Sequence, residues 1–225
     1  MEAINSFFDE DVDPLVRGWI HQPHDPRGDA LILTHGAGGN CEAPLLVALA
    51  ETFCGDGYTV LRCDLPFRQA RRFGPPSPGN AERDRAGLRN GVAAMRKIMS
   101  GKSGDGKVFL GGHSYGGRQA TMLCAEEPNL VSGLLLLSYP LHPPRKPEQL
   151  RTQHLPNLRT PSLFVHGTRD PFGSSEEIKK ALQLIPAKSE LMEVKDAGHD
   201  LGFKGKAQAP SLPARVLSRF DETFG

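Results

Sequence analysis

No apolar run in the 225-residue chain approaches 18 residues, the length at which a helix begins to span a bilayer, so no transmembrane helix is expected. Charge of one sign is also missing. The 27 lysines and arginines meet 26 aspartates and glutamates, and a formal net charge of +1 lacks the electrostatic footprint of a nucleic-acid or membrane-surface binder. Cysteine is sparse: Cys41, Cys54, Cys63 and Cys124 are scattered without a Cys-x-x-Cys pair, which fits reduced thiols better than a disulfide frame or a zinc site. No two histidines stand at the helical i, i+4 spacing of a metal site, and no metal or other cofactor is expected. The first fourteen residues carry five acids (Glu2, Asp9, Glu10, Asp11, Asp13) and neither a basic region nor an apolar stretch of signal-peptide type. Export is therefore not expected, and a cytoplasmic location is.

What the chain does have is alternation. Leu15 to His21 reads as an edge strand, Ala30 to His35 as a buried strand, and Ala43 to Cys54 as a helix with Pro44 in its first turn and Gly55 past its end. Tyr58 to Cys63 is the next strand, followed by a long proline-containing loop, Arg68 to Gly79. From Asn80 the apolar positions Leu88, Val92, Met95 and Met99 form one helical stripe, and Gly101 to Gly106 is the turn that follows. Val108 to Leu110, Gly133 to Ser138 and Ser162 to His166 read as buried strands, with a helix from Gln119 to Ala125; Cys124 in that helix is expected in the core. Ser174-x-x-Glu177 is a capping box opening a helix, Leu191 to Val194 is a last strand, and Val216, Leu217, Phe220 and Phe224 stripe a closing helix. Such alternation predicts one α/β domain over residues 1–225, a mostly parallel sheet with helices on both faces. Ligands of such sheets bind beyond the carboxyl ends of the strands. Gly36 to Asn40, Arg68 to Arg72, Ser114, His142 to Arg145, Asp170 and His199 all follow strands and are expected on that one rim.

The stretch Gly112-His-Ser-Tyr-Gly116 lies where a buried strand breaks into a helix. A strand-to-helix turn this tight leaves no room for side chains two residues before and after the serine, and it thrusts Ser114 out of the sheet as a nucleophile elbow does. A serine hydroxyl needs a base within hydrogen-bond reach and a third group to orient that base. His199, after the last strand, is the expected base. Asp170, after the preceding strand, has the more usual position for the acid, although Asp196 and Asp200 are nearer in sequence. The order Ser114, Asp170, His199 differs from the orders found in the other serine-hydrolase folds. For the oxyanion, the expected donors are the backbone N–H of Tyr115 and that of Ala37 in the loop His35-Gly-Ala-Gly-Gly39. A phosphate-binding reading of that loop fails, since no Gly-Lys-Ser/Thr follows and Cys41 stands where a third glycine is needed. His113 is expected beneath the serine, His35 bracing the loop after it, His166 in the core, and His21 and His24 at the surface.

These residues resemble the α/β-hydrolase superfamily over residues 30–225. The runs Tyr139-Pro-Leu-His-Pro-Pro-Arg145-Lys-Pro and Gly167-Thr-Arg-Asp-Pro-Phe-Gly173 resemble, more narrowly, the small lidless family related to dienelactone hydrolases, which also takes in a subunit of a eukaryotic histone-acetyltransferase complex. The resemblance implies the fold and a Ser114–His199–Asp170 triad; it departs from dienelactone hydrolases proper, whose nucleophile is cysteine. About twenty residues separate the strand at 133–139 from that at 162–166, too few for a cap domain, so an open, shallow site for small soluble esters or thioesters is expected. Arg68, Arg71, Arg72, His142, Arg145 and Lys146 are on loops expected at its mouth, with Arg71, Arg72, His142 and Arg145 as substrate-binding candidates for an anionic acyl group. The expected partner is a small-molecule ester. The alternative is a non-catalytic module that presents the loop from Tyr139 to Thr160 to another protein.

Overall fold

A computed structural model describes residues 3–100, 106–203 and 211–225. The expected turn at 101–106 therefore lies almost wholly outside the described residues. Eight strands form one sheet: β1 (Ala3–Asp9), β2 (Val16–Gln22), β3 (Ala30–Thr34), β4 (Thr59–Cys63), β5 (Val108–His113), β6 (Gly133–Leu137), β7 (Ser162–Gly167) and β8 (Ser189–Val194). Their spatial order is β1-β2-β4-β3-β5-β6-β7-β8, with β1 and β2 antiparallel to their neighbours and every later pairing parallel. The described residues also form six α-helices: α1 (Pro44–Gly55), α2 (Pro66–Ala70), α3 (Ala81–Met99), α4 (Tyr115–Glu126), α5 (Ser175–Leu182) and α6 (Ser211–Phe224).

The continuous apolar strands are explained by a core on each face of the sheet. In β3, Ile32 packs with the stripe Leu88, Val92, Met95 of α3, while its neighbours Leu31 and Leu33 turn to Leu46, Leu49 and Phe53 of α1. Along β6 the same alternation sends Leu134 and Leu136 to one side and Leu135 and Leu137 to the other. A strand buried on both faces has no polar phase, so its period of two is invisible in composition. Helices α3, α4 and α5 cover the first face, α1 and α6 the second. The Ser174 capping box forms as expected, Ser174 Oγ accepting the Glu177 N–H at 3.3 Å and Glu177 Oε2 accepting the Ser174 N–H at 2.8 Å. Cys41, Cys54, Cys63 and Cys124 are all buried thiols outside any disulfide.

Three expectations need correction. The segment Leu15 to His21 is not the edge of the sheet, because the acidic amino-terminal segment itself forms β1 and pairs with β2 from Ala3↔Gln22 to Asp9↔Val16. β1 is largely exposed, so main-chain pairing rather than apolar burial holds it, and it leaves little signal in the sequence. In consequence His21 is not at the surface. It is buried, and its Nε2 accepts a hydrogen bond from Arg62 Nε at 2.9 Å. The loop from Arg68 also begins inside a short helix, α2, rather than after Phe67.

Candidate active site

Ser114 sits between β5 and α4 with φ 51°, a left-handed conformation that a side-chain-bearing residue adopts only where its surroundings impose it. The two glycines flanking it have a steric cause. A Cβ at Gly112 would lie 2.5 Å from the Gly117 nitrogen, and one at Gly116 would lie 2.6 Å from the His35 carbonyl oxygen. Both contacts are with backbone, which has nowhere to go. The hydroxyl is left at the carboxyl end of the central strand with the first turn of α4 behind it.

Ser114 Oγ donates to His199 Nε2 at 2.8 Å, and His199 Nδ1 donates to Asp170 Oδ2 at 2.8 Å. Asp170 stands in the turn after β7, its side chain wholly buried, and its other oxygen accepts the Phe172 N–H at 2.8 Å. His166 lies behind it, with Nδ1 at 3.9 Å from Asp170 Oδ2 and Nε2 donating to the Gly173 carbonyl at 2.7 Å. The nearer acids in sequence go elsewhere. Asp196 pairs with Arg169 at 2.6 Å, and Asp200 Oδ1 accepts the Gly202 N–H at 3.1 Å. The His199 ring is held from both sides, by Phe172 at a centroid distance of 4.2 Å and by His113 at 5.1 Å. His113 also donates from Nε2 to the His199 carbonyl at 2.8 Å, so it fastens the backbone of His199.

The loop after β3 packs directly on this elbow, since a Cβ at Gly36 would meet His113 Nδ1 at 2.9 Å and Ser114 Cβ at 3.3 Å. His35 braces it: Nδ1 donates to the Gly36 carbonyl at 2.8 Å while Nε2 accepts the Leu65 N–H at 3.1 Å. Burial lowers the pKa of His35, which keeps it in this neutral tautomer. Tyr115 is the first residue of α4, so its N–H has no carbonyl to bond within the helix. Ala37 and Tyr115 line the same cleft as Ser114 and His199. Tyr115 is itself anchored, its hydroxyl donating at 2.7 Å to Asp84, a buried carboxyl whose pKa is raised mainly by burial.

The four substrate-binding candidates are not brought to this cleft. Arg71 is exposed and folds back on the Pro75 carbonyl, Arg72 stacks over Phe73 at 5.5 Å, and Arg145 is exposed at φ 62°. His142 is buried, its Nδ1 donating to the Pro143 carbonyl at 2.8 Å and its Nε2 lying 3.5 Å from Glu177. Following a strand puts a residue on the correct rim but does not aim its side chain. Arg68 is buried too and points inward to backbone carbonyls. The cleft that does form has a volume of about 660 Å³. Between β6 and β7 there is no cap, only a connection with one short 3-10 turn at Leu155–Asn157. A wall comes instead from the connection after α2, through Pro75, Pro76 and Pro78. Phe172, Phe203, Arg118, Gln119 and Arg151 also line it. Of these, Arg118 was accessible to sequence reasoning, standing one turn into the helix that Ser114 precedes.

A family model described as an alpha/beta hydrolase domain matches residues 27–213. The chain belongs to the alpha/beta hydrolase domain family. Solved structures with the same fold include a dienelactone hydrolase from Anabaena variabilis, 19% identical with a TM-score of 0.73, covering 100% of this chain and 96% of that one. An esterase from Pyrococcus furiosus is 18% identical with a TM-score of 0.72, covering 100% of this chain and 92% of its own. A Xanthomonas campestris protein described as an α/β serine hydrolase without a lid is 15% identical with a TM-score of 0.71, covering 97% and 94%. The absence of a cap in this alpha/beta hydrolase thus has a counterpart among its structural neighbours. No helix among the described residues is long and apolar enough to cross a membrane.

Proposed function

We propose that the protein is a serine hydrolase of small carboxylic esters or thioesters. The observation that carries this reading is the unbroken pair of 2.8 Å hydrogen bonds from Ser114 through His199 to buried Asp170. Ser114 Oγ attacks the acyl carbon as its proton passes to His199 Nε2, and Asp170 holds Nδ1–H so that Nε2 is free to accept. The tetrahedral oxyanion is received by the N–H groups of Tyr115 and Ala37, donors of a kind whose single removal costs about 10²- to 10³-fold in kcat. Collapse expels the alcohol or thiol, which takes the proton back from His199. Water, deprotonated by the same imidazole, then attacks the acyl-enzyme and releases the acid and Ser114. A purely binding module has no physical need for an oriented imidazole on a strained serine.

The test is labelling with a fluorophosphonate probe together with turnover of a short-chain 4-nitrophenyl ester. Wild type is expected to label and turn over, and Ser114→Ala and His199→Ala to do neither. A folded wild type inert in both assays overturns the reading in favour of the interaction module.

A further inference from the structure

The Ser114 carbonyl accepts the Arg118 N–H at 3.0 Å, so Arg118 stands one turn, about 6 Å along the axis, from the nucleophile. Its guanidinium makes no hydrogen bond and no ion pair among the described residues, and its Nε is buried without a partner. A guanidinium stays charged at neutral pH, and its buried Nε–H has given up water without gaining an acceptor, which is unfavourable. Arg151 reaches the same cleft from the connection between β6 and β7. It is held there by its N–H to the Leu141 carbonyl at 2.8 Å, by Tyr139 Oη donating to its own carbonyl at 2.7 Å, and by one Nη1 bond of 3.2 Å to the Pro140 carbonyl. It has no carboxylate partner among the described residues. Burial first and the Arg118 charge second pull its pKa below the ordinary guanidinium value, so the two cations feel each other.

Gln119, which lines the same cleft, is fully buried; its Oε1 accepts from Arg85 at 3.4 Å and its Nε2 has no partner. The nearby acids are already engaged. Asp84 takes the Tyr115 hydroxyl and the Phe67 N–H, and Glu126 pairs with Arg85 at 3.4 Å. His154 contributes no negative charge, and burial with Arg118 and Arg85 holds its pKa at about 4. Asp200, from the loop after β8, is the carboxylate that lines the cleft.

We propose that Arg118 and Arg151, with the Gln119 amide, form a subsite for a carboxylate carried by the substrate, so that the Ser114 centre selects esters or thioesters bearing a second, ionised carboxyl group. This rests on the hydrolase reading above and names its substrate class. Two guanidinium forks and an unpartnered amide match the planar, multiply accepting carboxylate, which supplies the acceptors that the buried Arg118 Nε and Gln119 Nε2 lack.

The experiment compares hydrolysis of mono-4-nitrophenyl adipate with that of 4-nitrophenyl hexanoate, equal in chain length, by wild type, Arg118→Gln and Arg151→Gln, with enzyme-free hydrolysis subtracted. Wild type is expected to favour the adipate by about tenfold or more in kcat/KM, and each variant to lose about tenfold of that ratio, mainly through KM. Fluorophosphonate labelling of Ser114 in each variant certifies an intact centre. A wild-type ratio near one, or a ratio that neither substitution moves, overturns the proposal. Calorimetric binding of adipate and of inorganic phosphate to the wild-type protein and to Arg118→Gln reads the subsite without turnover. Adipate binding lost in Arg118→Gln supports it even if Ser114 neither labels nor reacts, in which case the hydrolase reading alone fails. Binding of phosphate but not adipate overturns the carboxylate assignment.

Discussion

Arg68 Nη2 donates to the carbonyl of Ala37 at 2.9 Å, from a guanidinium that is itself buried. The same group donates to the carbonyls of Gly39 at 2.8 Å, Arg72 at 2.8 Å, Gly74 at 3.0 Å and Arg71 at 3.3 Å. One side chain therefore ties the loop carrying the Ala37 N–H to the connection that walls the cleft. On the proposed hydrolase mechanism it is a positioning residue for the Ala37 N–H, and its charge is spread over carbonyl dipoles rather than set against a carboxylate.

Replacing it tests that role. Arg68→Met is expected to lower kcat by about 10²-fold with a smaller change in KM, the magnitude of a lost oxyanion donor. Each acceptor left buried and unpaired also costs about 1–3 kcal/mol of stability, so the melting temperature falls as well. Arg68→Lys, which keeps the charge but not the planar fork, is expected to recover stability more than kcat. Equal recovery of both would assign Arg68 a merely structural role.

The proposed role of Asp170 as the orienting acid is tested by contrast. Asp170→Asn leaves the geometry but removes the acceptor that selects the His199 tautomer, and kcat is expected to fall by about 10⁴-fold. Asp196→Ala removes an exposed partner of Arg169 and is expected to change kcat by less than about twofold. Steady-state kinetics on one ester decides; a large loss in Asp196→Ala would reassign the orienting acid.

Two glycines separate steric need from helix propensity. Gly116→Ala places a methyl 2.6 Å from the His35 carbonyl oxygen and the Thr34 methyl, so the elbow must shift, at a cost of about 1–3 kcal/mol or more. Gly91→Ala, in α3, meets Ile32 at an ordinary 3.9 Å and exchanges a poor helix former for the best one. It is expected to stabilise by about 0.5–1 kcal/mol. Denaturant titrations of the two variants should shift in opposite directions.

His21 and His154 carry a pH dependence. Burial foremost lowers each pKa from 6.5 to about 4, with Arg62 adding for His21 and Arg118 and Arg85 for His154. The unfolded chain thus binds their protons before the folded one does. Their contribution is complete above pH 6.5 and is lost as pH falls from 6.5 toward 4. Thermal melting between those limits should decline less steeply for His21→Gln than for wild type; parallel curves would show that His21 does not titrate between states.

By itself the sequence determined whatever depends on local sterics and periodicity. Gly112 and Gly116 around Ser114, the capping box at Ser174 and the stripe of α3 are legible because backbone clashes, orphan N–H groups and a 3.6-residue repeat act over a few neighbours. Strand alternation then placed Ser114, Asp170 and His199 beyond the same sheet edge, because parallel strands all end on one side. The tertiary structure decided what depends on side-chain direction and on pairing between distant segments. β1 rests on main-chain bonds to β2 and carries little apolar pattern, so nothing local announced it or the burial of His21 that goes with it. Arg68, Arg71, Arg72 and Arg145 all lie in connections after strands, yet Arg68 turns in to backbone carbonyls, Arg71 folds back on the Pro75 carbonyl, Arg145 is exposed, and Arg72 stacks on Phe73. The cations that face the cleft are Arg118 and Arg151, one on a helix and one in a connection. A loop position sets where a chain passes, while the carbonyls, rings and carboxylates around it set where a guanidinium points.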